Sequence, residues 1–334
     1  MRQAGLRLFL GLFWSVDAFK AATERRRDDD SGGVICLLLH NPFRTRSEAL
    51  SREGYPGEEM TLEGLQRCLA YYRRRGCQFI GLEQVDDALK AGGQPSVLVT
   101  FDDGYFNCVQ ALSVLEKYSA PAIFFITTRP VLERRKFWWD AVYCGEYARG
   151  GNNQTALHQV EALKQLGPAQ LHDEICARYG REAFDVGSDG FRPMTPDELR
   201  RLAAHPLASI GIHCRDHLPL DLSSPEEIEQ QILGCREDLK QLTGVEPATL
   251  AYPYGRHSPA VLDILRRHGI RYAFGCQPGI NSRAQLEHLE LRRFNPQGWW
   301  SPAVQCAAYC SHRPVTPGAL RVLSRVLQLG KPAR

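Results

Sequence analysis

The sequence predicts an α/β fold in which a parallel sheet closes into a barrel of seven or eight strands, and three observations predict it. Short apolar runs recur along the chain, helical patterns separate them, and the runs end in turns rich in polar residues and glycine. A strand of a parallel sheet is buried on both faces, so it reads as an unbroken apolar stretch and not as an alternation. At 334 residues the chain is long enough for one large barrel or two smaller domains. Hydrophobic residues at 43% and charged residues at 24% suffice for a core and exclude a disordered tail or a collagen-like fibre. The charge sum of +3 is too small a bias for nucleic acid to be the main partner. Eleven cysteines, spread over the whole length, fit a reducing compartment better than a disulfide scaffold.

Residues 1–33 stand apart from the barrel. No run of 18 uncharged apolar residues exists, so an ordinary transmembrane helix is not expected. The stretch Leu6–Ala22 is interrupted by Arg7, Asp17 and Lys20 and has no clean cleavage site. It reads as an amphipathic helix, either packed on the body or lying on a membrane surface. Glu24–Gly33 is a charge run closed by a glycine pair, which marks a flexible boundary. The folded unit is assigned to 34–300 and opens with the run VICLLL at Val34–Leu39. Leu62, Leu65, Leu69 and Tyr72 then recur at helical spacing. Six further runs follow, at Val97–Phe101, Ala122–Ile126, Ser209–Ile212, Thr249–Tyr252, Arg271–Phe274 and Leu289–Phe294. Helical patterns at Asn107–Tyr118, Thr195–Ala204, Ser224–Leu242 and Pro259–His268 lie between them. Residues from about 136 to 190 break this rhythm and read as a largely helical insertion capping one face. Residues 301–334 read as a helical tail, with Leu320, Leu323, Val326 and Leu327 on one face as a docked terminal helix or a membrane anchor.

Two constellations carry chemistry. Thr100-Phe101-Asp102-Asp103-Gly104-Tyr105 ends an apolar run with adjacent carboxylates, whose repulsion needs a cation or a shared proton unless both are solvated in an Asp-Gly turn. Strand C-termini are where parallel α/β folds assemble their sites. His213-Cys214-Arg215-Asp216-His217 follows another run, and imidazoles four apart can meet on a helical turn or tight loop. Two histidines and one aspartate make the ligand set of an open hydrolytic metal site, with the spare carboxylate placed as a base. Weaker signals are Tyr252-Pro253-Tyr254-Gly255, at a strand end, and His40, which closes the first run.

TFDDGY, then HxxxH after a strand, then AYPYG, in this order, resemble the polysaccharide deacetylase family, the NodB-homology group of carbohydrate esterase family four. PAIFFIT, Trp138-Trp139-Asp140, MTPDELRRLAAHP and LTGVEPATLAYPYG extend the likeness from about Val34 to Asn295. The resemblance implies a distorted (β/α) barrel and metal-dependent removal of N-acetyl groups from amino sugars. By position, it makes Asp103, His213 and His217 the ligands of a divalent metal, Zn2+ before Co2+ or Ni2+, and Asp102 the base. The backbone N–H of Tyr254 would face the oxyanion. Tyr105, Tyr252, Pro253, Tyr254, Trp138 and Trp139 would line the sugar site, the two tryptophans doing so only if they are not packing against the insertion. A histidine ahead of the aspartates resembles the exopolysaccharide branch, such as the poly-N-acetylglucosamine deacetylases, and makes His40 the catalytic acid, ahead of His288 and His312. The family's arginine before the Pro-Tyr-Gly motif is replaced by Ala251 or Tyr252, and Arg293 in LRRFN is the candidate to supply that charge. Cys214 stands where Ser or Thr is usual and either faces the metal or enters the core.

The expected partner is an N-acetylated amino-sugar glycan, and nucleic acid is not expected. The expected location is cytoplasmic, peripheral at the inner membrane through the terminal helices, with secretion or a periplasmic location as the alternative. A deformylase acting on lipid-linked sugars and a non-catalytic carbohydrate-binding protein are the rival readings.

Overall fold

The computed structural model describes residues 32–310, apart from 52, 56–58, 283–287 and 299–300. The expected N-terminal helix, His312 and the apolar face at 320–327 therefore lie outside the described residues. Six strands form one parallel sheet in chain order: β1 (Val34–Leu39), β2 (Ser96–Phe101), β3 (Ala122–Ile126), β4 (Ala208–Ile212), β5 (Thr249–Ala251) and β6 (Tyr272–Phe274). β1, β3, β5 and β6 are buried at every position, the two-sided cover that their unbroken apolar runs require. The helices α1 (Leu62–Arg74), α2 (Leu112–Tyr118), α3 (Trp138–Ala148), α4 (Asn153–Leu163), α5 (Pro168–Tyr179), α6 (Pro196–Ala203), α7 (Pro225–Thr243), α8 (Pro259–Arg267) and α9 (Pro302–Tyr309) lie between and after the strands. α3, α4 and α5 form the segment that interrupts the alternation.

The sheet curls as a barrel does, but it has six strands where seven or eight were expected. The seventh apolar run, Leu289–Phe294, is not a strand. It makes one parallel bridge to β6 at Leu291 and one to β1 at Phe294. Leu291 N–H donates to Ala273 O at 2.9 Å, and Phe294 N–H donates to Cys36 O at 2.8 Å, so the run joins the two ends of the sheet. A regular strand would hold both neighbours in continuous register. This segment changes partner within three residues, and Arg293 between them turns its fully buried side chain into the interior. α9 packs against α1 through Cys306, Cys68 and Tyr72, and Tyr309 stacks on Phe294 at 4.4 Å.

α7 is the brace of the site. Ser224 caps it: the Ser224 hydroxyl accepts from Glu227 N–H at 3.3 Å while Glu227 Oε2 accepts from Ser224 N–H at 2.8 Å. Ser224→Ala is expected to cost about 1 kcal/mol of stability, read as a lowered urea midpoint with an unchanged slope.

Candidate active site

The acid pair, the first of the two histidines, the Tyr-Pro-Tyr turn and His40 each follow a strand, so the parallel sheet gathers them at one end. Asp102 and Asp103 follow β2, His213 follows β4, Tyr252 to Tyr254 follow β5, and His40 follows β1. Backbone strain concentrates here. Among the described residues seven non-glycine positions have positive φ, and four of them are Asp103 (74°), Cys214 (66°), His217 (56°) and Tyr254 (59°). Such conformations cost on the order of 1–3 kcal/mol each and persist only where the surroundings impose them. At Asp103 the turn sends adjacent carboxylates to different partners. Gly104 follows at φ 98°, and a Cβ there would stand 3.3 Å from Ile126 Cγ2.

The two histidines meet across a tight loop and not along a helix. α7 holds that loop: Gln231 Oε1 accepts from Arg215 N–H at 3.1 Å and from Asp216 N–H at 2.9 Å. The Arg215 guanidinium reaches Asp238 at 2.8 and 2.9 Å. Cys214 points away from the site and joins the main hydrophobic core, fully buried, where burial pushes its thiol pKa well above the ordinary value. It therefore faces the core and not the candidate metal ligands.

Asp103 Oδ1 lies 3.3 Å from His213 Nε2 and 3.4 Å from His217 Nε2. His213 Nδ1 is 2.8 Å from Ala251 O, and because a carbonyl only accepts, Nδ1 carries a proton and Nε2 is the nitrogen turned toward Asp103. Burial, together with the neighbouring His213 and His40, pushes the His217 pKa well below the usual imidazole value, which keeps that ring neutral. Asp103 Oδ1 is buried and accepts no hydrogen bond. One ligand atom from each of these three residues can be chosen with all of them within 4.8 Å of one another. An orphaned carboxylate oxygen facing two imidazole nitrogens is a donor set that fits a divalent cation.

Asp102 has a different environment. Arg293 Nη1 and Nη2 donate to its two oxygens at 2.7 Å each, and both side chains are buried. The fork is itself fixed, since Arg293 Nε donates to Gly275 O at 2.8 Å and Nη1 to Thr100 Oγ1 at 3.1 Å. Burial is the largest single influence and raises the Asp102 pKa, but the Arg293 charge and hydrogen bonds together with the charges of His213 and His40 outweigh it and hold the carboxyl below its usual range.

Asp102, Asp103, His213 and His217 line a cavity of about 270 Å³. His40, Tyr105, Trp139, Tyr252 and Tyr254 line it as well. The Tyr252 hydroxyl donates to Leu289 O at 2.7 Å, whereas the Tyr254 hydroxyl is buried without a partner. Trp138 does not line this cavity but faces a smaller one with Arg129, Lys136 and His172. Pro253 is buried beneath the turn and is absent from the lining.

A polar chain beside the ligands escaped the sequence reading. Trp139 Nε1 donates to Tyr105 Oη at 2.7 Å, Tyr105 Oη donates to Asp140 Oδ2 at 2.7 Å, and Asp140 Oδ1 accepts from Tyr55 N–H at 2.6 Å. The Trp139 ring sits 4.6 Å from that of His217. Asp140 is fully buried, and burial, opposed by the hydrogen bonds from Tyr55 and Tyr105, pushes its pKa up to about 7. The sign follows: where the unfolded carboxyl is ionised and the folded one is not, stability falls as pH rises. Asp140 is expected to contribute a loss of stability to the metal-free protein between roughly pH 4 and about pH 7, a contribution of opposite sign to that of the depressed His217. Asp140→Asn should flatten that slope in urea titrations at pH 5 and 7.

A sequence profile of the polysaccharide deacetylase family matches residues 90–273. The chain is 23% identical over 238 residues to a poly-β-1,6-N-acetyl-D-glucosamine N-deacetylase of Escherichia coli (strain K12), covering 67% of this chain and 32% of that protein. It is 25% identical over 115 residues to the Bacillus subtilis (strain 168) protein YxkH, covering 33% of this chain and 41% of that one. The chain thus spans well under half the length of these curated relatives. Among solved structures, IcaB from Ammonifex degensii superposes with a TM-score of 0.58 at 19% identity, covering 84% of this chain and 97% of that one. The Streptococcus pyogenes deacetylase PplD, in complex with acetate, superposes at 0.56 and 17% identity, covering 81% and 96%. At these identities the likeness to the solved structures is one of fold.

Proposed function

The chain belongs to the polysaccharide deacetylase family, and from that membership we propose that it is a metal-dependent hydrolase removing N-acetyl groups from amino sugars of a polysaccharide or glycan precursor. The observation that carries the reading is the convergence of Asp103, His213 and His217 on one point of the cavity floor, beside an Arg293-held Asp102. Zinc is the metal we infer, with cobalt or nickel as substitutes, because imidazole and carboxylate donors in a three-ligand set suit it. When bound, the cation supplies Lewis-acid polarisation of the acetamide carbonyl and acidifies a water.

The chain's own residues do the rest. Asp102 is the base: the Arg293 fork keeps it ionised, aims it into the cavity and leaves it free to take the proton of the attacking water. His40 shares the cavity and gives a proton to the departing amine, without which the amide would re-form. The Tyr254 backbone N–H is the donor assigned to the developing oxyanion, worth about 3 kcal/mol. Tyr105, Tyr252 and Trp139 line the sugar site, and the Trp139 ring packs against His217.

Metal analysis combined with acetate assays tests the reading. Purified protein should carry about one equivalent of metal and release acetate from N-acetylhexosamine oligomers. Chelation should stop the release and added zinc should restore it. Formate release in place of acetate would favour the deformylase. Protein that held no zinc, cobalt or nickel and released neither acid would be a binding protein.

A further inference from the structure

The helical segment between β3 and β4 does more than cover a face of the barrel: it walls the cavity and is tied down at two junctions. Near its start, Asp140 accepts from Tyr55 N–H, Cys144 Sγ donates to Glu53 O at 2.6 Å, and Tyr143 packs on Tyr55 at 5.0 Å. These contacts join α3 to the segment that follows β1. Gly54 shows how close the approach is, since a Cβ there would stand 2.6 Å from Asp140 Oδ1 and 2.4 Å from the Phe191 ring. Just past the end of α4, Lys164 Nζ lies 4.3 Å above the Tyr254 ring and within ion-pair distance of Glu161. That contact joins the same segment to the turn after β5. Between the two junctions, Leu157, Val160 and Glu161 of α4 form the wall, with Val160 buried and Leu157 about half exposed at the mouth.

The interior of a polymer needs a groove open at both ends, because sugars continue on either side of the reacting one. Here the wall runs from the segment after β1 to the turn after β5, and the cavity volume of about 270 Å³ falls just under the usual range for sites that take a drug-sized ligand. A single sugar ring with its acetamide is the ligand class of that size. We propose that this chain deacetylates an amino sugar presented end-on, at a chain terminus or in a short oligosaccharide, and does not act on interior residues of a long glycan. The proposal rests on the deacetylase reading and adds the mode of attack to it.

The test uses β-1,4- and β-1,6-linked N-acetylglucosamine oligomers of one to six units and the matching polymers, with mass-spectrometric mapping of each free amine. Free amines confined to a terminal residue, with kcat/KM level once the chain exceeds two or three units, are the expected result. Free amines at interior positions, with kcat/KM rising steadily with length, would overturn end-on attack and leave the deacetylase reading intact. No acetate from any of them would overturn that reading and this one together. Leu157→Ala shortens the wall at the mouth and should raise activity on polymer relative to trimer severalfold. A ratio equal to that of the unaltered protein would count against the wall as the determinant.

Discussion

Asp103→Ala is expected to strip the protein of bound metal and to lower acetate release by about 10³-fold or more, since Lewis-acid stabilisation is worth several kcal/mol and each 1.36 kcal/mol is a factor of ten. Three donor atoms converge, and Asp103 supplies the only negative charge among them. Two imidazoles would remain, that of His217 held against protonation by burial. The fold should survive with a modest loss of stability, because Asp103 Oδ1 makes no hydrogen bond that the substitution would break but alanine tolerates the φ of 74° less well than aspartate. Metal content by mass spectrometry and a cooperative, modestly lowered thermal midpoint of the metal-free protein check the two halves of this expectation. Retained metal and unchanged turnover would remove Asp103 from the ligand set.

Asp102→Asn should separate the base from the metal. Loss of a general base typically costs about 10²–10⁴-fold in rate, while the three ligands stay in place and metal content should not change. Stability should change, however. Arg293 is fully buried with Asp102 as its charge partner. Breaking a buried pair by removing one partner costs about 3–5 kcal/mol, because the remaining charge is uncompensated. The expected variant is therefore metal-bound, poorly active and markedly less stable. Arg293→Met makes the complementary case: without the guanidinium, burial is free to raise the Asp102 pKa, and the acid limb of the pH–rate profile should move upward. The linkage sign agrees with this. Asp102 is depressed in the folded state, so the stability contributed by its ion pair is present above the unfolded carboxyl pKa of roughly 4 and is lost as pH falls below it. An acid limb that stays in place in Arg293→Met would show that the fork does not tune the base.

The site residues were legible where chemistry and topology coincide in a few consecutive positions. Asp102-Asp103 and His213 through His217 each follow an apolar run, and a parallel sheet must bring such strand ends together. The seventh run does not form the expected strand because apolar character reports burial and not ladder register. Leu289–Phe294 is indeed buried at Leu289, Leu291 and Phe294, yet it bridges two different strands. Cys214 was open between metal and core because the side chain's direction depends on a positive φ that a single residue letter does not encode. Asp140 went unassigned beside two tryptophans because its partners Tyr55 and Tyr105 are 85 and 35 residues away.

The sequence by itself determined the parallel α/β class, the strand-end placement of the acid pair and the histidine pair, and the helical character of the segment after β3. Local patterns suffice for these, since burial on two faces and turn chemistry act over a few residues. Only the tertiary structure decided that six strands form the ladder, that Arg293 reaches Asp102 across 191 residues of chain, and that α3 and α4 wall the cavity from one side of the sheet to the other. Those outcomes depend on which distant side chains pack together. A buried charge must find its counter-charge wherever the fold has put it, and no local stretch of sequence carries that address.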